Sequence, residues 1–149
     1  MTVNNIKQWG VLLLLLISIH NISSQTIVTT VSIIGENADD QSGRAVSLSA
    51  DGNTIAIGAR LNNGNGSNSG HTRIYEWINS SWTQKGLDID GENVDDQSGV
   101  AVSLSADGNT VAIGAHLNDG NGSNSGHTRI YEWINSSWTQ KGLDIDGEN

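Results

Sequence analysis

Along most of the chain, large and small side chains alternate with a period of two. Val100, Val102 and Leu104 fall on one side of an extended segment, and Ala101 and Ser103 on the other. Val111, Ile113 and Ala115 oppose Thr110, Ala112 and Gly114 in the same way. β-branched and aromatic residues dominate these runs, and no window has a good helical period. The pattern predicts four strands, at Val100–Ser105, Thr110–Ala115, His127–Ile134 and Ser137–Leu143. Between the first two, Asp107-Gly108 predicts a type I′ turn with both central residues at positive φ. Asn118 to Gly126 (NDGNGSNSG) is a glycine-rich surface loop, and Asn135-Ser136-Ser137 closes a third hairpin between Trp133 and Trp138. Three hairpins joining four strands make one up-and-down sheet.

The whole pattern occurs twice. Gly35–Asp90 and Gly91–Asp146 agree at 51 of 56 positions, differing only at Ala38/Val94, Arg44/Val100, Ile55/Val111, Arg60/His116 and Asn63/Asp119. Gly147-Glu148-Asn149 opens a third copy. A fixed long period marks a repeat architecture. Each predicted sheet has a bulky face and a small one, so identical sheets can stack with the large face of one against the small face of the next. A β-propeller stacks four-stranded sheets around an axis in this way. The expected fold class is therefore all-β, with propeller blades at 35–90 and 91–146. A two-sheet sandwich could use the same strands but does not require the same 56 residues twice.

The run SGVAVSLSADGNTVAIGAHLNDGNGSNSGHTRIYEW resembles the FG-GAP repeat, the unit of integrin-α-type N-terminal β-propellers. Its similarity is greatest to the secreted bacterial version with SLSADGNTVAIGA blades. Ser98-Gly99 stands for the family's Phe-Gly and Gly114-Ala115-His116 for its Gly-Ala-Pro; in the first copy these are Ser42-Gly43 and Gly58-Ala59-Arg60. Both the Phe and the Pro are missing. The resemblance covers residues 35–146 and implies a propeller blade, without implying an activity.

At the N-terminus, Lys7 precedes the apolar run Trp9–Ile19, and a polar stretch follows. This is the plan of a secretory signal peptide, expected to span residues 1–25. The run is too short for a membrane span of roughly 20 residues, although an uncleaved anchor is the competing reading. Thr26–Ile34 keeps strand character and is a candidate clasp that closes a ring. The remaining 124 residues hold about 2.2 repeats, whereas rings take four to eight blades. The expectation is either a truncated product, with residues 147–149 beginning a third repeat, or a short chain that completes its ring by oligomerising.

Composition narrows the chemistry. The chain has no Cys, which removes disulfides, thiolate metal sites and cysteine nucleophiles. A formal charge of −9 argues against a nucleic-acid partner. The best metal candidate is Asp88, Asp90, Glu92 and Asp96, with the Val94 carbonyl between the last two; alternating oxygen ligands of this kind suit Ca²⁺, the one candidate cofactor. The family's own calcium hairpin lies between the first and second strands, where this chain has only the short Ser105–Asn109 turn. A solvated acidic connection that caps turns is the alternative reading of the acidic run. Asp119, Asn121 and Ser123 form a second, weaker candidate. Tyr75, Trp77, Tyr131 and Trp133, with Trp82 and Trp138, could form a sugar-stacking platform or fill the space between blades. Ser105–Thr110 partly resembles the Asp-box of sialidases, but no acid–base pair or arginine cluster accompanies it. The expected protein is a non-enzymatic binding or adhesion module, secreted or at the cell surface. Its expected partners are an extracellular protein or a polysaccharide, and further repeats of its parent chain or oligomer partners. The alternatives are a carbohydrate-binding propeller attached to a degradative enzyme and, more remotely, a sialidase-like hydrolase.

Overall fold

The structure, a computed structural model, describes residues 32–148. The signal segment and most of the proposed clasp lie outside these residues. The chain runs through β1 (Ala45–Leu48), β2 (Thr54–Ala59), β3 (His71–Ile78), β4 (Ser81–Gln84), β5 (Ile89–Asp90), β6 (Ala101–Leu104), β7 (Thr110–Ala115), β8 (His127–Ile134), β9 (Ser137–Gln140) and β10 (Ile145–Asp146). There is no helix among the described residues. Each repeat is one antiparallel sheet, and the two sheets stack as propeller blades without closing a ring.

The blades differ from the predicted sheet in two places. The first is the fourth strand, which stops at Gln140 instead of running to Leu143. Gly142 turns the backbone to φ 85° and Leu143 swings into solvent at 90% exposure, after which Ile145–Asp146 rejoins the same edge of β8. The first blade repeats this at Gly86 and Leu87, with β4 and β5 both paired to β3. The second difference is the inner hairpin, which is not type I′. Gly108 alone takes positive φ (69°), and the Gly108 amide bonds the Ser105 carbonyl at 3.0 Å. The Asp107 carboxylate accepts from Ser105 Oγ (2.5 Å) and the Asn109 amide (3.1 Å), so a side-chain-closed turn replaces the primed one. Asn135-Ser136, at φ 51° and 62°, is the connection with two left-handed residues, as is Asn79-Ser80.

The stacking follows the predicted asymmetry of the faces. In β2 the small side is buried: Thr54, Ala56 and Gly58 face the second blade, while Ile55 and Ile57 are half-exposed. In β7, of nearly identical sequence, the opposite side is buried: Val111 and Ile113 face the first blade, while Ala112 and Gly114 are half-exposed. A single core results, with Ala56, Ile74 and Ile89 from one blade against Leu104, Val111, Ile113 and Tyr131 from the other. Each large aliphatic side chain so buried contributes about 1.5–3 kcal/mol. Polar cross-links register the stack: the Leu104 amide donates to Ser47 Oγ (2.9 Å), and the Ala50 amide to the Ala106 carbonyl (2.9 Å). The bulky outer face of β1 stays uncovered, with Val46 and Leu48 more than half exposed.

Candidate functional site

Strands β3 and β8 both read HTRIYEWI, and alternation divides each into two faces. On β3, Thr72 and Ile74 point into the core and are fully buried. The other face carries a row of functional groups: His71, Arg73, Tyr75 and Trp77, matched by His127, Arg129, Tyr131 and Trp133 on β8. The looped-out segment between β4 and β5 brings Asp88 back over this row, and the connection that precedes the blade brings Glu36. In the second blade Asp144 and Glu92 do the same.

The result is a compact polar cluster in each repeat: Glu36, His71 and Asp88, and again Glu92, His127 and Asp144, each with ligand-competent atoms within 4.8 Å of one another. His71 Nδ1 lies 3.6 Å from Asp88 Oδ2 and 3.8 Å from Glu36 Oε2; for His127 the distances to Asp144 and Glu92 are 3.5 and 3.8 Å. Burial pushes the His71 imidazole below its ordinary value of 6.5, with the Asp88 carboxylate opposing. Arg73 bridges Glu36 and Asp88, the latter through Nε at 3.1 Å. Arg129 bonds Glu92 Oε1 at 3.2 Å and crosses to the first blade, where its Nη2 donates to the Asp90 carbonyl at 2.9 Å.

The predicted calcium ligands are not gathered into one centre. Asp88 joins the first cluster and Glu92 the second. Asp90 sits in β5, where extended backbone spaces alternate side chains about 6.6 Å apart along one face and cannot wrap them around an ion; burial raises its carboxyl, and the neighbouring Asp88 charge adds to this. Asp96 is 3% exposed and accepts from Asn118 Nδ2 (2.9 Å) and the Asn93 amide (3.0 Å), anchoring the connection between blades. Asp119 closes its own loop by accepting from the Asn124 amide (2.6 Å), while Asn121 Nδ2 donates to the Gly147 carbonyl (2.8 Å). The inner hairpin, where the family resemblance would place calcium, does not fit that ion either. Its single acid in the first blade, Asp51, already accepts from Ser49 Oγ (2.6 Å), the Asn53 amide (3.0 Å) and Asn53 Nδ2 (3.0 Å), and its pKa is lowered to about 2, chiefly by the Ser49 hydroxyl.

The aromatic residues occupy unequal settings. Trp133 and Trp138 meet at 5.2 Å between ring centroids, and the Lys85 ammonium of the first blade sits 5.4 and 5.8 Å from those rings. Trp138 Nε1 donates to the Lys85 carbonyl at 2.7 Å, so this pair closes the gap between blades. Tyr131 is buried in the same seam, with the Arg129 guanidinium 5.6 Å from its ring. In the first blade Trp77 and Trp82 also meet edge-on at 5.2 Å, but Trp77 is 41% exposed. Tyr75 and Trp77 therefore offer an accessible surface, whereas Tyr131 and Trp133 serve the stack.

Sequence reading did not single out the histidines as members of a cluster, because their partners are distant in the chain. Their recurrence at alternate positions with Arg and Tyr on one strand, in both copies, was the available signal. Comparison with known proteins agrees with the architecture. No curated protein matches the chain significantly. A profile described as FG-GAP repeat matches residues 34–75 and 83–131, more than half of the sequence. With two stacked antiparallel blades of the expected repeat, the chain belongs to the FG-GAP repeat family.

Proposed function

We infer that this chain is a non-enzymatic binding or adhesion module that works outside the cell or on its surface. FG-GAP repeats are common in extracellular proteins, and no helix among the described residues is long and apolar enough to cross a membrane. The observation that carries the reading is the duplication of one rigid polar rim. Loops 62–70 and 118–126 have the same backbone. Asn62 and Asn118 each accept the amide two residues on at 2.8 Å, and Asn68 and Asn124 turn at φ 50° and 52°. The first loop is also stitched to the connection leading into the second blade, through Asp95 N to Ser67 O (2.8 Å) and Gln97 N to Asn68 O (3.0 Å). Two nearly identical surfaces, differing within the loop only at Asn63/Asp119 and held at a fixed separation, suit a repetitive or multivalent partner, because the second contact is made at high effective concentration.

The accessible Trp77–Trp82 pair favours a polysaccharide as that partner, since a half-exposed indole can stack on a sugar ring. The test is to display the chain as a tetramer on glycan and extracellular-protein arrays. Specific binding that strengthens by about 10²-fold over the monomer is expected from avidity. Loss of glycan binding in Trp77→Ala supports the carbohydrate reading, and protein binding that survives Trp77→Ala supports adhesion. No specific binding on either array refutes both.

A further inference from the structure

We propose that each repeat carries a site for a first-row divalent cation of the Zn²⁺ type, formed by Glu36, His71 and Asp88 in the first blade and by Glu92, His127 and Asp144 in the second. This proposal is independent of the adhesive reading. It rests first on the histidines. Both Nδ1 atoms are buried without a hydrogen-bond partner, on side chains only 3% and 2% exposed. A buried ring nitrogen rarely goes unmatched. Each instead faces two carboxylate oxygens at 3.5–3.8 Å, too far for a hydrogen bond.

The second support is how those carboxylates are held. Each acid has one oxygen tied back by the protein. Gln84 Nε2 donates to Asp88 Oδ1 and Gln140 Nε2 to Asp144 Oδ1, both at 2.6 Å, and Arg73 and Arg129 take Oε1 of Glu36 and Glu92. The remaining oxygens, Oε2 and Oδ2, are the ones turned toward the imidazole, although in the first blade Glu36 Oε2 also accepts from Asn62 Nδ2 at 3.1 Å. This is the outer-shell arrangement that orients metal ligands. A tetrahedral zinc with bonds near 2.0–2.2 Å places its ligand atoms about 3.3 Å apart, so the imidazole-to-carboxylate distances need to close by only a few tenths of an ångström, within a cluster whose ligand atoms all lie within 4.8 Å of one another, with a fourth position left for water. Imidazole with two carboxylates suits zinc or manganese; calcium prefers oxygen ligands throughout. Filling the site would tie the connection entering a blade to β3 or β8 and to the looped-out outer edge, a cross-link in a chain with no cysteine.

The two sites are not equal. Arg73 Nε also bonds Asp88 Oδ2 at 3.1 Å and competes with a cation there, whereas Arg129 turns away to the Asp90 carbonyl. The second blade should therefore bind more tightly. The experiment is calorimetric titration of Zn²⁺ into the untagged, chelator-stripped full chain, with Ca²⁺ as control. Two sites of unequal affinity are expected for zinc and none for calcium. His127→Ala should remove the tighter site, His71→Ala the weaker, and the double variant both. Should an alanine variant misfold, Glu92→Gln and Glu36→Gln change half-exposed side chains at constant volume, and each should weaken its own site at least about tenfold. The histidine ¹⁵Nδ1 resonances should shift on zinc addition. Absence of zinc binding at submillimolar concentration, or binding unchanged in the double histidine variant, overturns the proposal.

Discussion

The stacking of the blades can be tested at one residue type in two places. Gly58 in β2 and Gly114 in β7 are the same position of the repeat, but only Gly58 lies in the seam. A Cβ built on Gly58 would sit 2.0 Å from the Gly99 carbonyl oxygen and 2.9 Å from its carbon. Neither partner is a flexible side-chain tip, so the blades must move apart by roughly an ångström, enough to forfeit a quarter to a half of each contact they share. Overpacking of this kind costs about 1–3 kcal/mol, and the rigid backbone on both sides puts Gly58→Ala at the upper end. A Cβ on Gly114 would meet only Ala101 Cβ at 3.6 Å, an ordinary contact. There the substitution relieves the entropic cost of glycine in a strand and should stabilise by about 0.5–1 kcal/mol. The two variants should differ by about 3 kcal/mol. That corresponds to roughly 10 °C in Tm for a domain near this size. Urea unfolding followed by tryptophan fluorescence measures the difference directly. Equal stabilities within about 0.5 kcal/mol would mean that the small face of β2 does not press on the second blade, and the stacking argument would fail.

Two further predictions use other pairs within the molecule. Lys85 is buried in the seam and donates to the Gly108 carbonyl (3.1 Å) and Asn109 Oδ1 (2.9 Å), whereas its repeat partner Lys141 has a side chain 56% exposed; Lys85→Ala should cost about 1–3 kcal/mol in urea unfolding and Lys141→Ala less than about 0.5, and equal effects would refute the seam role. The Asp51 carboxylate should titrate near 2 by carbon-detected NMR, below its ordinary 3.8. Because its folded pKa is depressed, its contribution to stability is complete above the unfolded value and is lost as pH falls from about 4 to about 2. Ser49→Ala should move that midpoint upward, and an unmoved midpoint would show that the hydroxyl does not hold the turn.

Much of the blade was legible in the sequence because strand pattern is local. Val111 and Ile113 against Ala112 and Gly114 define two faces whatever the rest of the chain does, and the sequence order of β6 to β9 is the spatial order of a meander. The inner hairpin was misread for a local reason too. Asp-Gly satisfies a primed turn, but the Ser105 hydroxyl, two residues before Asp107, and the Asn109 backbone amide, two residues after it, both donate to the Asp107 carboxylate and favour the observed turn. The break in the outer strand follows from Gly86 and Gly142, residues that weaken a strand interior and readily take positive φ.

The site was far less legible because it depends on where distant segments end up. An acidic run with alternating oxygens looks like a loop around an ion only while it is assumed to be a loop. Once Ile89-Asp90 pairs with Thr72 and His71, the run is extended, and Asp88 and Glu92 serve different blades. The repeat then explains why the cluster recurs. Each blade draws Glu from the connection before it, His from the start of its third strand and Asp from its interrupted outer edge, so one repeat length contains a full set. Continued on the register of β4, the outer strand would have set Asp88 opposite His71; the residues looped out at Gly86 and Leu87 shift it to the level of Arg73, where Arg73 and Gln84 hold its carboxylate beside the imidazole. The same reasoning accounts for the unequal tryptophans: a repeated sequence gives repeated positions, but a seam exists only where a neighbouring blade is present, and Trp133 has Lys85 and Gly86 against it while Trp77 stands in the open.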